Sequence, residues 1–162
     1  MQFELLEEDD MLVLPDIEME VWQAKGSGLV YQIEFINGNV KGSVSCHPER
    51  MPYIKEADIL SSVELKGKIY PITQISIAGF EGCENLKRIV IPDSITSIGF
   101  ACFKDCISLE EVFIPDSVTH IGFGVFAGCK NLKKVSLPAN LELSDNSFSF
   151  CNREKLIIER RP

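Results

Sequence analysis

Between Ile72 and Asn140 the apolar positions recur at a fixed step of 23 residues. Ile75, Ile98 and Ile121 are one set. Phe80, Phe103 and Phe126 are a second, Cys83, Cys106 and Cys129 a third, and Leu86, Leu109 and Leu132 a fourth. Pro92, Pro115 and Pro138 keep the same step. A period in the twenties predicts a solenoid, in which each unit buries its apolar face only against its neighbours. Within one unit, Leu86, Ile89 and Ile91 read L-x-x-I-x-I, a short strand with its apolar residues inward. Pro92 cannot donate a ladder hydrogen bond and ends that strand. Asp93-Ser94 turns the chain, Ile95 and Ile98 pack back, and Gly99 permits a bend. Phe103 and Cys106 close the coil. Inward side chains worth roughly 1.5–3 kcal/mol each when buried can hold such a stack, whereas one coil alone cannot offset its ordering entropy.

The flanks follow a different rhythm. Ile17 to Val21 alternates apolar with acidic residues, and Leu29, Tyr31, Ile33 and Phe35 alternate with polar or smaller ones, which predicts two half-buried strands. Lys25 to Gly28 is a turn, and Asn37-Gly38 signals a type I′ hairpin leading into a strand through Val40, Val44 and Cys46. Residues 1–58 are therefore expected to be an acidic arm and a β-hairpin cap, and 59–162 a repeat array. Met1 to Leu14 fits helix or strand. His47 to Asp58, with two prolines, reads as a loop; Ile59 to Leu65 and Ile69 to Ile75 flank a Lys66-Gly67 turn. At the other end the period drifts. A step of 23 from Phe126 lands on Ser149, between Phe148 and Phe150, and Cys151 comes one residue early. A degenerate closing coil is expected there, with a strand through Leu156 and Ile158 and a polar, basic tail capping the core.

Ile98-Gly99, Phe103, Cys106, Leu109, Val112, Ile114 and Pro115 together read I-G-x-x-x-F-x-x-C-x-x-L-x-x-V-x-I-P. This pattern resembles the BspA-type leucine-rich repeat, common in bacterial surface proteins, notably of Bacteroides relatives. Lys66 to Thr73 resembles the lead-in of such arrays, and the resemblance covers about Ile59 to Leu156. It implies a β-rich leucine-rich-repeat solenoid of about three to four coils, to which the strands read above add a small antiparallel β cap at the N-terminal end. It further implies a cell-surface location and adhesion to host matrix proteins such as fibronectin or fibrinogen.

Composition narrows the partner classes. The chain has 162 residues, 45% of them apolar and 25% charged, and carries a formal charge of -8. Eight acids and no base fall between Met1 and Glu20, so the acids and bases of the remainder cancel. An acidic end on a neutral array argues against nucleic acid, which needs a basic footprint, and against an anionic membrane surface. No apolar run approaches a transmembrane length, and no leader is visible after Met1. An intracellular scaffold is thus the rival to a surface adhesin.

Candidate chemistry is sparse. Cys83, Cys106 and Cys129 are expected as a buried column of reduced thiols, because parallel side chains make poor disulfide geometry. Cys102 shares a column with Gly79 and Val125, while Cys46 and Cys151 fall out of register. No tight cysteine pairs suggest zinc. His47 follows Cys46 directly, but neighbours along a strand point to opposite faces; His120 stands in an outward polar column. Neither a cofactor nor a catalytic group is expected. The outward pairs Lys87-Arg88, Glu110-Glu111 and Lys133-Lys134 alternate in sign from coil to coil, a ladder that favours register. More suggestive of recognition are two apolar features. The column Ile77, Phe100 and Phe123 occupies a place usually polar in the family, and Phe113 lies outward beside Val90 and Ser136. Exposed, these would form a protein contact.

Overall fold

The computed structural model describes residues 3–5, 17–24 and 26–162, with side chains from Glu20 onward. The acidic run at 6–16 lies outside the described residues. Fourteen short strands and no α-helix make up the described chain.

The N-terminal part is an antiparallel meander of β1 (Phe3–Leu5), β2 (Ile17–Ala24), β3 (Leu29–Ile36) and β4 (Asn39–Cys46). The β3–β4 hairpin turns at Asn37 and Gly38, both with positive φ (50° and 79°), as a type I′ turn requires. Its register aligns Tyr31 with Val44, and both are fully buried. The meander then continues without interruption into the solenoid. β4 pairs in parallel with β8 (Gln74–Ile75), which pairs with β10 (Ser97–Ile98), which pairs with β12 (His120–Ile121). Seven strands thus form one sheet running across cap and coils.

A second face carries the leucine-type strands. β5 (Glu56–Asp58) pairs in parallel with β9 (Arg88–Val90), β11 (Glu111–Phe113) with β13 (Lys134–Pro138), and β13 in turn with β14 (Ile157–Arg161). Residues 47–58, expected as a loop, therefore contain a 3-10 turn at Pro48–Arg50 and a strand of the first coil. The period hides this strand because Asp58 to Val90 is a step of 32, nine longer than the repeat. The extra length is the antiparallel hairpin of β6 (Ser62–Leu65) and β7 (Lys68–Pro71).

The core is one continuous cluster from Ala24 to Phe148. Its spine is aromatic. Phe80, Phe103 and Phe126 are fully buried, and successive rings stack at centroid separations of 5.7 and 5.6 Å. The closing coil extends it: Phe148 stacks on Phe126 at 5.6 Å, whereas Phe150 is 87% exposed. The drift is a one-residue deletion. Phe148, Phe150 and Cys151 each stand 22 positions after their counterparts, and the step returns to 23 where Ile157 pairs with Lys134. Arg160 Nη1 donates to the carbonyls of Ala139 (2.8 Å) and Leu141 (2.9 Å), so the basic tail does bind across the closing coil.

Candidate functional site

Each turn between faces stacks its backbone on the next. The Ala78 N–H donates to Phe100 O at 2.8 Å, and the Ala101 N–H to Phe123 O at 2.9 Å. These bonds align Ile77, Phe100 and Phe123, which are 74%, 52% and 65% exposed. The glycines before the two phenylalanines are needed for close approach. A Cβ on Gly99 would lie 2.5 Å from Ile77 N, and one on Gly122 would lie 2.3 Å from Phe100 N. The apolar column is therefore held on tightly stacked backbone. Beside it runs a polar row, Gln74, Ser97 and His120, which are direct cross-strand partners. Sequence reading missed the threonine ladder next to that row: Thr96 Oγ1 donates to Thr73 O at 3.3 Å and Thr119 Oγ1 to Thr96 O at 3.4 Å. The step of 23 through Thr73, Thr96 and Thr119 was its signal.

An open cleft of about 500 Å³ adjoins Phe123 and includes His120, Ile121, Glu142 and Leu143. His120 Nδ1 lies 2.8 Å from Thr119 Oγ1. His47 is used locally, its Nδ1 accepting from the Glu49 N–H at 3.3 Å to cap the 3-10 turn. Among the described residues, no group of three or more His, Cys, Asp or Glu side chains could hold a metal ion.

The Phe113 patch is more mixed. Phe113 is 54% and Val90 42% exposed, but the Arg161 guanidinium lies 4.0 Å from the Phe113 ring centroid. Arg161 also donates to Ser136 Oγ at 2.9 Å and pairs with Asp116 at 2.6 Å, and Ser136 is buried. The terminal arginine thus converts an apolar spot into a cation–π site.

The charged pairs interlock only in part. Glu110 meets Lys133 at 2.5 Å, and its carboxyl is held below the usual range by that hydrogen bond and charge. Lys134 reaches forward to Glu159 at 3.0 Å, and Arg88 reaches back to Asp58 at 2.9 Å. Lys87 also contributes to lowering the Glu110 carboxyl. Glu111 is aligned with Lys134 in the backbone register.

All six cysteines are free thiols. The Cys106 thiol donates to Phe80 O at 3.1 Å and the Cys129 thiol to Phe103 O at 3.0 Å, each reaching back to the preceding coil. Cys151, which looks out of register along the sequence, bonds Phe126 O at 3.1 Å in the same way. The deleted residue brings it into the column. Burial pushes the thiols of Cys102, Cys106 and Cys129 up, which favours the neutral form.

Comparison with known proteins agrees with this geometry. A crystal structure of a leucine-rich repeat protein from Bacteroides capillosus aligns with a TM-score of 0.69 at 29% identity, covering 86% of this chain and 98% of that one. A leucine-rich cell surface protein from Faecalibacterium prausnitzii aligns at 0.57 with 23% identity, and the pneumococcal vaccine antigen PcpA at 0.54 with 18%. The alignments cover 86% and 81% of this chain but only 42% and 47% of those two chains, so they show a shared fold. No curated protein matches the chain. The model of the BspA-type leucine-rich repeat region matches residues 55–161 in six copies. That span is most of the sequence, and the chain belongs to the BspA-type leucine-rich repeat family.

Proposed function

We propose that the protein is a non-catalytic protein-binding module of the bacterial cell surface, acting in adhesion to host matrix proteins of the fibronectin or fibrinogen kind. The observation that carries the binding role is the exposed column Ile77, Phe100 and Phe123, fixed on coils whose backbones touch at Gly99 and Gly122. Large apolar side chains on a rigid frame lose little entropy when a partner docks. Val90 and Phe113, with Arg161 over the ring, form a second contact on the other face. Surface display and the choice of matrix proteins rest on family membership. The second reading, an intracellular scaffold, is favoured by the six free thiols, a state that reducing compartments maintain.

The test is surface plasmon resonance on immobilised fibronectin and fibrinogen. Wild type binds one of them, and a Phe100→Ser, Phe123→Ser variant with an unchanged circular dichroism spectrum loses about tenfold or more in affinity, as expected when interface aromatics are removed. Equal binding by the variant removes the column from the interface. Binding of neither protein by wild type removes the matrix reading.

A further inference from the structure

The seven-stranded sheet ends at β12, and the closing coil stands away from its edge. In earlier coils the carbonyls at this edge are filled. The Thr96 and Thr119 N–H groups donate to Thr73 O and Thr96 O at 2.8 and 3.0 Å, and those of Gly99 and Gly122 donate to Ile75 O and Ile98 O, both at 2.9 Å. Thr119 O and Ile121 O, next in each series, receive no backbone N–H among the described residues. The deleted residue explains the gap. Leu141, 23 positions after Val118, still closes the same turn: its N–H reaches Pro138 O at 3.2 Å, as that of Val118 reaches Pro115 O at 3.1 Å. Backbone contact resumes at Ser147, 22 positions after Val125, where the Phe126 N–H donates to Ser147 O at 3.0 Å. One residue is thus missing from 142–146, the stretch that would pair with β12. There the Gly124 N–H meets a side chain, Asn146 Oδ1 at 3.1 Å, in place of a backbone carbonyl. Ile121 is accordingly only partly buried, whereas Ile75 and Ile98 are each 2% exposed. The space left is the cleft of about 500 Å³ between β12 and residues 140–144.

We propose that this cleft takes an extended segment of a partner protein, which adds to β12 as the next strand of the sheet and carries a lysine or arginine beside Glu142. An exposed sheet edge gives affinity through main-chain hydrogen bonds and selects through alternate side chains. The segment's N–H groups fill Thr119 O and Ile121 O. Alternation along a strand sends every second side chain inward. A β-branched apolar residue at such a place covers Ile121 and Leu143, both of them partly buried. Charge selects the flanking residue. Glu142 is exposed in the cleft and, among the described residues, makes no ion pair, so a cation beside it meets an unopposed carboxylate. Phe123, 65% exposed, lines the same cleft and makes it continuous with the apolar column. The inference rests on the reading of that column as a protein contact, and not on the partner being a matrix protein.

The probe is a short fluorescein-labelled peptide that alternates valine with threonine and carries one lysine. Its fluorescence anisotropy is followed as the full chain is added at neutral pH and low salt. Saturable binding is expected. Replacing the peptide's amides by esters, which removes N–H donors without adding bulk, should weaken binding about tenfold or more, the worth of two main-chain hydrogen bonds. A peptide with glutamate in place of the lysine should bind wild type more weakly, and Glu142→Lys should reverse that preference. Position 142 is exposed, so the variant is expected to fold, and its circular dichroism spectrum checks this. Absence of saturation, equal binding of the ester peptide, or a preference that Glu142→Lys leaves unchanged would each overturn the proposal. So would self-association of the protein that Glu142→Lys abolishes and the peptide cannot displace, which would seat a second copy in the cleft. Matrix proteins are absent from this assay, so its failure is distinct from failure of the adhesion test.

Discussion

At the residue scale, the closing coil shows how one deletion sorts two phenylalanines. Phe148 takes the stacked, buried place and Phe150 the corner place that Gly82, Asp105 and Gly128 hold in earlier coils, all with positive φ. Phe150 has φ 62° there, a conformation disfavoured for a bulky L-residue. Two opposite outcomes follow from side chains two positions apart. Phe148→Ala should destabilise by about 3 kcal/mol or more, from lost burial and a cavity at the end of the spine. Phe150→Gly should stabilise by about 1 kcal/mol, because it relieves the left-handed backbone and buries nothing less. Urea unfolding midpoints measure both. Destabilisation by Phe150→Gly of the size seen for Phe148→Ala would show that the column runs through Phe150. The sequence exposes this ambiguity but does not resolve it: Ser149 is the position at which the period predicts a phenylalanine, and only the stacking distance distinguishes its neighbours.

At the scale of elements, the repeats were legible because their inward residues have no freedom. Phe103, Cys106, Leu109 and Val112 are all buried in the one continuous core, and Phe103 stacks on Phe126 of the next coil, so any change of type costs packing. The Asn37-Gly38 hairpin was legible for a related reason, since its turn demands positive φ. β5 was not. It carries a single buried side chain, Ala57, between Glu56 and Asp58, and the β6–β7 hairpin separates it from the period. The outward charges were legible as types and only in part as partners: Glu110 meets Lys133 one step on, whereas Lys134 and Arg88 turn to Glu159 and Asp58, because long exposed side chains choose among several neighbours. Glu110 and Glu159 are nevertheless held below the ordinary carboxylate range by Lys133 and Lys134. A depressed folded pKa contributes stability that is present above the unfolded value, about 4.3 for glutamate, and is lost as pH falls through the folded value. Wild type should therefore exceed Glu110→Gln in urea midpoint at pH 7, by a small and salt-sensitive margin, since both partners are exposed. The margin should shrink as the pH falls below the unfolded value and vanish once the Glu110 carboxyl is protonated in the folded state as well. A margin that persists undiminished in strong acid would assign the effect to something other than the ion pair.

At the scale of the molecule, the question is whether the meander and the array unfold as one body. No linker separates residues 1–58 from 59–162 in the sequence, which predicts one continuous structure, and the contacts across that boundary are of core quality. The seven-stranded sheet crosses the junction through the Val44–Ile75 register, Tyr31 Oη accepts from the Leu60 N–H at 3.2 Å, and Gly42 lies against the backbone of Pro71. The sole tryptophan, Trp22, belongs to β2 and has the Lys66 ammonium 5.7 Å from its ring, so its fluorescence reports the meander and its contact with the β6–β7 hairpin. Far-ultraviolet circular dichroism reports all the strands together. The two signals should give coincident urea transitions, the mark of a two-state system. Gly42→Ala is the sharper probe, because its methyl would lie 2.2 Å from Pro71 O, a backbone atom that cannot swing aside. It should cost about 2 kcal/mol or more by overpacking and move both transitions together. If it shifts the tryptophan signal alone and leaves a later transition at the wild-type midpoint, the meander is a separate unit resting on an array that folds without it.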